Sequence, residues 1–320
     1  MKVVVLAGGT GGAMLAAGFH SLLHGADLTV VANTADDDEF WGLLVSPDVD
    51  GVVYRLAGVF NEVAGYGIKE DSFNALEALE RLGEHTWFRI GDKDLATHLV
   101  RSEMLRSGSR PTETSVELCR RWGIDARVLP MTDERVRTRF VTDRGVYSFQ
   151  EYFVRERLAP ALRLVEFEGI DSARPTPEVL DALAEADMVV IGPSNPLISI
   201  APILSVVGAN LPRDRTVAIT PIVGGSALKG PTVEMLRAMG SDASPVAVAR
   251  MYTGVASAFV IDSSDAGLSS EIEGLGYRVN LMDTVMRDGG RALAAAILAA
   301  FGTVIPPPAA SRGSASRENA

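Results

Sequence analysis

The chain opens with Lys2-Val-Val-Val-Leu-Ala-Gly-Gly-Thr-Gly-Gly-Ala-Met14, and this stretch restricts the fold more than any other. Val3 to Ala7 is a short apolar run rich in β-branched residues, the pattern of a strand buried on both faces of a parallel sheet. Gly8, Gly9, Gly11 and Gly12 follow at once, and Ala13 to Leu23 has the spacing of a helix. Strand, glycine-rich turn and helix together aim backbone N–H groups and a helix N-terminus at a phosphate. Glycine suits such a turn because a Cβ blocks close approach and a tight turn calls for positive φ. The spacing departs from the dinucleotide fingerprint, since Met14 takes the third-glycine position, and no Gly-Lys-Ser/Thr follows as in a P-loop. A phosphate-binding turn is nonetheless preferred here to a turn that merely packs a helix on a strand.

With 320 residues, 47% of them hydrophobic, the chain can bury a substantial core as one large α/β domain or two smaller ones. No apolar run reaches the roughly 18 residues of a membrane span. The N-terminus reads as a strand and not as a signal peptide. A single cysteine, Cys119, excludes an intrachain disulfide framework and fits a reducing cytoplasm, where the protein is expected. The net charge of −11 argues against nucleic-acid binding. An acidic chain that binds phosphates needs local donors or a metal ion.

Leu28 to Ala32 reads as a second strand, and it runs into Asn33-Thr-Ala-Asp-Asp-Asp-Glu39. Carboxylates beyond a strand end lie where ligands bind in open α/β sheets, although much of this acidic cluster also fits a solvated loop. In Ser46-Pro-Asp-Val-Asp50 the two acids alternate with Val49. An extended segment would put Asp48 and Asp50 on one side, to hold Mg²⁺ or to divide the jobs of metal ligand and proton acceptor. The competing reading is an N-cap, with Asp50 opening a helix from Gly51. In Arg89-Ile-Gly-Asp-Lys-Asp94, Arg89 either joins a salt-bridged turn or contacts substrate, and Asp94 caps a helix over Leu95 to Arg106. His98 lies on that helix, but four histidines without His/Cys pairing argue against zinc. Val136 to Thr142 and Val146 to Phe149 read as a hairpin through Asp143-Arg-Gly145. A largely helical subdomain with that hairpin is therefore expected over 52–165, inserted between core segments 1–51 and 166–303.

Asp187-Met-Val-Val-Ile191 is a second fully apolar strand, and it ends in Gly192-Pro-Ser-Asn-Pro196. In a doubly wound sheet this turn and Gly8 to Gly12 can face each other across the switch point. Gly192, Ser194 and Asn195 are thus candidate ligand contacts. A third glycine-rich turn, with Gly224, precedes Lys229, a possible charge partner for a nucleotide. The last residues, 304–320, are rich in Pro, Ser and Ala and read as a disordered tail.

Together Gly8-Gly-Thr-Gly-Gly12, Ser46-Pro-Asp-Val-Asp50, Arg89-Ile-Gly-Asp-Lys-Asp94, Ile191-Gly-Pro-Ser-Asn-Pro196 and Pro221-Ile-Val-Gly-Gly225 resemble the 2-phospho-L-lactate transferase family of coenzyme F-420 synthesis. The likeness runs from Met1 to about Phe301. A related branch of gluconeogenesis-factor or YvcK-like regulatory proteins shares the glycine loop and the Gly-Pro turn. It binds nucleotide sugars without turnover, and is the rival reading. The resemblance implies a Rossmann-like α/β fold with a mostly parallel sheet, helices on both faces and a helical subdomain, as a cytoplasmic homodimer that uses Mg²⁺. It implies transfer of a phospholactyl or phosphoenolpyruvyl group from a guanosine diphosphate-linked donor to the ribityl hydroxyl of the deazaflavin Fo, with release of GMP. Asp50 and Arg89 match the family's deazaflavin contacts. Gly8, Gly9, Thr10, Gly11, Gly12, Gly192, Ser194, Asn195 and Gly224 are expected at the nucleotide, and Asp48 and Asp50 at the metal and in catalysis. Where relatives often carry a basic residue after the first loop, this chain has Met14. A nicotinamide oxidoreductase is disfavoured because the fingerprint spacing fails and the acids after the second strand form a cluster.

Overall fold

A computed structural model of the protein describes residues 1–227 and 230–302. The expected tail over 304–320 and the candidate Lys229 lie outside the described residues. The centre is a seven-stranded, all-parallel sheet. We number its strands β1 (Val3–Ala7), β2 (Leu28–Ala32), β3 (Arg127–Pro130), β4 (Met188–Ile191), β5 (Thr216–Ile219), β6 (Ala258–Asp262) and β7 (Arg278–Met282). Their order across the sheet is β7-β6-β5-β4-β1-β2-β3. The chain thus builds outwards from β1 in one direction, then returns to β1 and builds in the other. The reversal falls between β1 and β4, where Val3 pairs with Leu28 on one side and with Met188 on the other.

Both faces of the sheet are covered, as the unbroken apolar strands require. Val3, Val5 and Ala7 face a core shared with helix α1 (Gly9–His20), helix α2 (Pro47–Leu56) and the C-terminal helix Arg291–Phe301. Val4 and Leu6 face a second core, filled from the helices Pro177–Glu185, Ala201–Val207 and Pro245–Met251. The Rossmann-like α/β architecture is therefore as expected.

The expected hairpin is present as Arg137–Thr142 against Val146–Ser148, and Leu162–Glu168 joins its other side. The boundaries of the insertion need correction. Strand β3 lies inside 52–165, yet it pairs with β2 and completes one edge of the core sheet. Its Val128 and Leu129 are fully buried there, so the apolar run returns to the core once the helix Pro111–Arg121 ends. The segment after Ser46 also differs from its expected form. It is helical from Pro47, because proline at the first helical position fixes a suitable φ and two acids in the first turn suit the helix dipole.

Two glycines on neighbouring helices give a stability test. A Cβ on Gly11 would stand 2.1 Å from the Pro193 carbonyl oxygen, whereas one on Gly51, within α2, meets nothing within 4 Å. Gly11→Ala is expected to lower unfolding stability by about 1–3 kcal/mol. Gly51→Ala is expected to raise it by about 0.5–1 kcal/mol through helix propensity. Urea denaturation of the two variants checks both signs.

Candidate active site

The turn after β1 and the turn after β4 meet at the point where the sheet reverses. A Cβ on Gly8 would lie 2.6 Å from Ser199 Cβ, one on Gly12 2.8 Å from Ala7 Cα, and one on Gly192 2.9 Å from Gly12 Cα. Of the loop glycines only Gly9 has positive φ, at 61°. Most of them are thus glycine because the two turns touch, which sharpens the sequence argument. The Gly12 N–H donates to Ser194 Oγ at 3.0 Å and fastens one turn to the other.

Above this junction lie two cavities. The first, of about 280 Å³, has Gly8, Gly9, Thr10, Gly11, Ser194 and Asn195 at its base. Its walls include Met14, Met286 and the stacked pair Phe149 and Phe153, whose ring centroids are 4.3 Å apart. Gly12 and Gly192 sit beneath it, in contact with one another. Gly224 is the exception among the expected nucleotide residues: it lies outside this cavity, is exposed, and donates its N–H to the Asp265 carboxylate at 3.0 Å. The ends of that third turn do reach the cavity, through Pro221 on one side and Gly230 and Pro231 on the other.

The second cavity, of about 300 Å³, is lined by Gly9 and Thr10 on one side and by α2 on the other. Tyr54, Phe60, Tyr66, Trp87 and Phe88 give it aromatic walls, and Arg89 stands among them with its guanidinium 4.4 Å from the Phe73 ring centroid. Gly9 and Thr10 belong to both cavities. So does one turn of the inserted segment. Phe149 and Phe153 face the first cavity, while Gln150 and Val154 face the second.

Asp48 and Asp50 both line the second cavity but have different partners. On a helix, residues two apart point in different directions, so the extended-segment argument fails. Asp48 accepts from the Gly9 N–H at 2.7 Å and from Asn33 Nδ2 at 2.9 Å. The same Asn33 nitrogen donates to Asp36 at 2.9 Å. Burial pushes the Asp48 carboxyl up to about 6, against the pull of those hydrogen bonds. Asp36 is buried and is also raised, by desolvation first and by the neighbouring Asp48 charge second. Burial raises Asp37 as well, while Ser46 and Arg101 oppose the shift. At least Asp36 of the acidic cluster is therefore no solvated loop residue.

Asp50 turns the other way, into a buried ion pair. Both of its oxygens receive hydrogen bonds from Arg101, one at 3.0 Å. Arg101 also donates to His98 Nδ1 at 3.2 Å, which leaves the His98 proton on Nε2, 3.2 Å from Asp94. Asp94 accepts from Tyr54 Oη at 2.7 Å. Burial works to raise the Asp94 carboxyl, but His98 and Tyr54 outweigh it and hold it below the ordinary range. The expected cap role of Asp94 goes elsewhere. The helix begins at Asp92 (α3, Asp92–Arg106), and Asp71 receives the Lys93 and Asp94 N–H groups at its start.

Sequence reading missed Arg101, His98 and Tyr54. The signal was available: Asp94, His98 and Arg101 recur at helical spacing and put one polar stripe on α3. Such a stripe normally faces water, and only the tertiary structure shows that this one is buried.

The model of the family described as 2-phospho-L-lactate transferase CofD matches residues 3–284. The chain belongs to that family. The CofD relatives include a phosphoenolpyruvate transferase from Streptomyces griseus, 38% identical, with 90% of this chain and 94% of the relative covered. A 2-phospho-L-lactate transferase from Methanosarcina acetivorans is 37% identical, with 94% of this chain and all 100% of the relative covered. One from Methanopyrus kandleri is 41% identical, covering 90% of this chain and 93% of the relative. Among solved structures, a UPF0052 family member from Bacillus halodurans superposes with a TM-score of 0.59 at 17% identity, covering 93% of this chain and 98% of that one. That likeness shows a shared fold. Among the described residues no helix is long and apolar enough to cross a membrane.

The CofD match spans both turns, α2 and α3, so the buried Asp50–Arg101 pair lies within the shared domain. Arg101→Met leaves Asp50 buried and unpaired and is expected to cost about 3–5 kcal/mol of unfolding stability. Adding Asp50→Leu is expected to recover part of that loss. Chemical denaturation of the single and double variants measures the coupling.

Proposed function

We propose that this CofD-family protein transfers a phospholactyl or phosphoenolpyruvyl group from a guanosine diphosphate-linked donor to the ribityl hydroxyl of the deazaflavin Fo, in coenzyme F-420 biosynthesis. The observation that carries the proposal is the shared wall. Two cavities of different character meet at Gly9–Thr10, and Asp48 stands at the seam. A group-transfer enzyme needs a donor and an acceptor side by side, with the reacting atoms at the boundary.

The first cavity suits the donor. Its base is the start of α1, where backbone N–H groups and the helix dipole favour phosphate. Its aromatic and thioether walls, Phe149, Phe153, Met14 and Met286, suit a nucleoside. The second cavity suits a flat ring, with aromatic walls and Arg89 beside them. The fluorophore Fo has such a ring and a hydroxylated chain long enough to reach towards Asp48 and Asp50.

In the reaction the Fo hydroxyl oxygen forms a bond to the phosphorus that bears the three-carbon acid. The bridging P–O bond of the diphosphate breaks, and GMP leaves with those electrons. The hydroxyl proton passes to a carboxylate. Asp50, hydrogen-bonded through both oxygens to Arg101, is the carboxylate this reading assigns to orient the hydroxyl and take that proton. Asp48 is the residue that fits Mg²⁺. Its carboxylate lines the second cavity beside Gly9 and shares the Asn33 amide with Asp36, and a hard cation bound there would favour the ionised form that burial disfavours. Asp50 does not fit the metal role, because its oxygens are engaged by Arg101. Bound Mg²⁺ would supply charge neutralisation at the bridging phosphates. The homodimer implied by the family resemblance is part of the same proposal.

Purified protein incubated with Fo, Mg²⁺ and the lactyl or enolpyruvyl donor is expected to yield a heavier deazaflavin and GMP, read by mass spectrometry. No product, together with no Fo binding by fluorescence, would overturn the proposal in favour of a nucleotide-binding regulator. Arg89→Ala is expected to raise KM for Fo several-fold and leave that of the donor nearly unchanged. Millimolar Mg²⁺ is expected to raise the melting temperature of the wild type at pH 7.5, and to do so far less in Asp48→Asn. Equal shifts in both proteins would remove Asp48 from the metal.

A further inference from the structure

Arg55 stands seven residues beyond Asp48 on α2, about 10 Å further along the helix axis. It lines the far end of the second cavity. Its side chain is only 4% exposed. The guanidinium lies 3.4 Å from the centroid of the Phe60 ring and donates from one terminal nitrogen to Glu62 at 3.2 Å. Its Nε is buried and has no hydrogen-bond partner among the described residues. Burial pulls its pKa below the ordinary arginine value, against the opposing effect of Glu62.

A buried charged donor left unmade is costly, and proteins rarely leave one without a purpose. Here stacking on Phe60 fixes the guanidinium plane, so the Nε–H has a set direction and little rotamer freedom to lose on binding. The surrounding walls are aromatic, with Tyr54, Tyr66 and Trp87 lining the same cavity. The nearby carboxylates Asp48 and Asp50 lie at the opposite end of α2 or in the Arg101 pair, so neither serves Arg55. Arg55 Nε is thus a buried donor without an acceptor among the described residues, on a side chain that lines a largely aromatic cavity.

We propose that Arg55 is a specificity-determining residue of the second cavity, donating its Nε–H to a ring oxygen of the planar heteroaromatic acceptor. The inference rests on reading that cavity as the acceptor site. A ligand anchored at Asp48 through its hydroxylated chain would extend its ring along α2 towards Arg55. The ring oxygen is either a carbonyl of the pyrimidinedione ring or the hydroxyl on the opposite ring. Both present the same acceptor chemistry.

The test is equilibrium binding of Fo by fluorescence, riboflavin by the same method and GDP by calorimetry, to wild type, Arg55→Met and Arg55→Lys. Arg55→Met is expected to weaken Fo binding at least tenfold and to leave GDP binding within twofold. Arg55→Lys keeps the charge but lacks the Nε–H, and is expected to bind Fo as weakly as Arg55→Met. A loss for Fo alone assigns the contact to the ring hydroxyl that riboflavin lacks, and a loss for both assigns it to the pyrimidinedione. Fo binding within twofold of wild type in Arg55→Met, full rescue by lysine, or an equal loss of GDP would each overturn the inference. Wild-type protein that binds GDP but not Fo would remove the acceptor reading and this inference with it.

Discussion

The contact on which the site depends is the meeting of two backbone turns at the reversal point of the sheet. Gly11 lies against the Pro193 carbonyl and Gly12 against Gly192, at separations that leave no room for a side chain. Because β1 and β4 are adjacent and parallel, their turns emerge side by side at the same edge. The contact then fixes how α1 starts, and the start of α1 forms the base of one cavity and the rim of the other. Everything above it inherits that geometry. Asp48 is located by a bond from Gly9, and Ser194 by a bond from Gly12.

Charge is arranged around this junction in two unlike ways. Asp50 is buried and fully compensated by Arg101, with His98, Asp94 and Tyr54 continuing the network into α3. A carboxylate held through both oxygens keeps its direction. Asp48 and Asp36 are linked only through the neutral amide of Asn33, and both are shifted upwards by burial. Burial thus disfavours the charged form of both, and no cation is paired with either among the described residues. The two acids that look equivalent in Ser-Pro-Asp-Val-Asp are thus opposites in electrostatic environment. The division of labour comes from the helix, which points them apart.

How much of this was legible in the sequence follows from the range of each interaction. The apolar runs of β1 and β4 and the glycine turns after them are local patterns, and they located the sheet, its reversal point and the first cavity. Arg89, Asp48 and Asp50, singled out from two short motifs, all line the second cavity. Their partners were not singled out. Arg101 reaches Asp50 across 51 positions of sequence, and Asn33 reaches Asp48 across 15. Periodicity gives a helix its faces but does not say which face is covered, so nothing in the sequence marked Asp94, His98 and Arg101 as one buried stripe. The extended reading of residues 46–50 failed because alternation of acid and valine over three residues is too short to outweigh a proline at a helix start. Gly224 lies outside the first cavity although Pro221 and Gly230 of the same turn line it, since turn composition does not state which residue of a turn faces inwards.

The inserted segment does more than close the acceptor side. Residues 149–154 form a single turn, with Phe149 and Phe153 turned to one cavity and Gln150 and Val154 to the other. It is wound with wider π-type spacing over Glu151–Arg155, and Arg157 and Leu158 just beyond it have φ of 51° and 61°. Such backbone persists only where surrounding packing holds it, and here Phe140 and Tyr152 stack beneath at 4.6 Å. A thin partition built this way keeps the two cavities apart along most of their length, so that among the described residues Gly9 and Thr10 line both. The fold therefore reaches its geometry from two directions: the sheet supplies the junction, and the insertion supplies the wall that makes the junction the sole meeting point among the described residues.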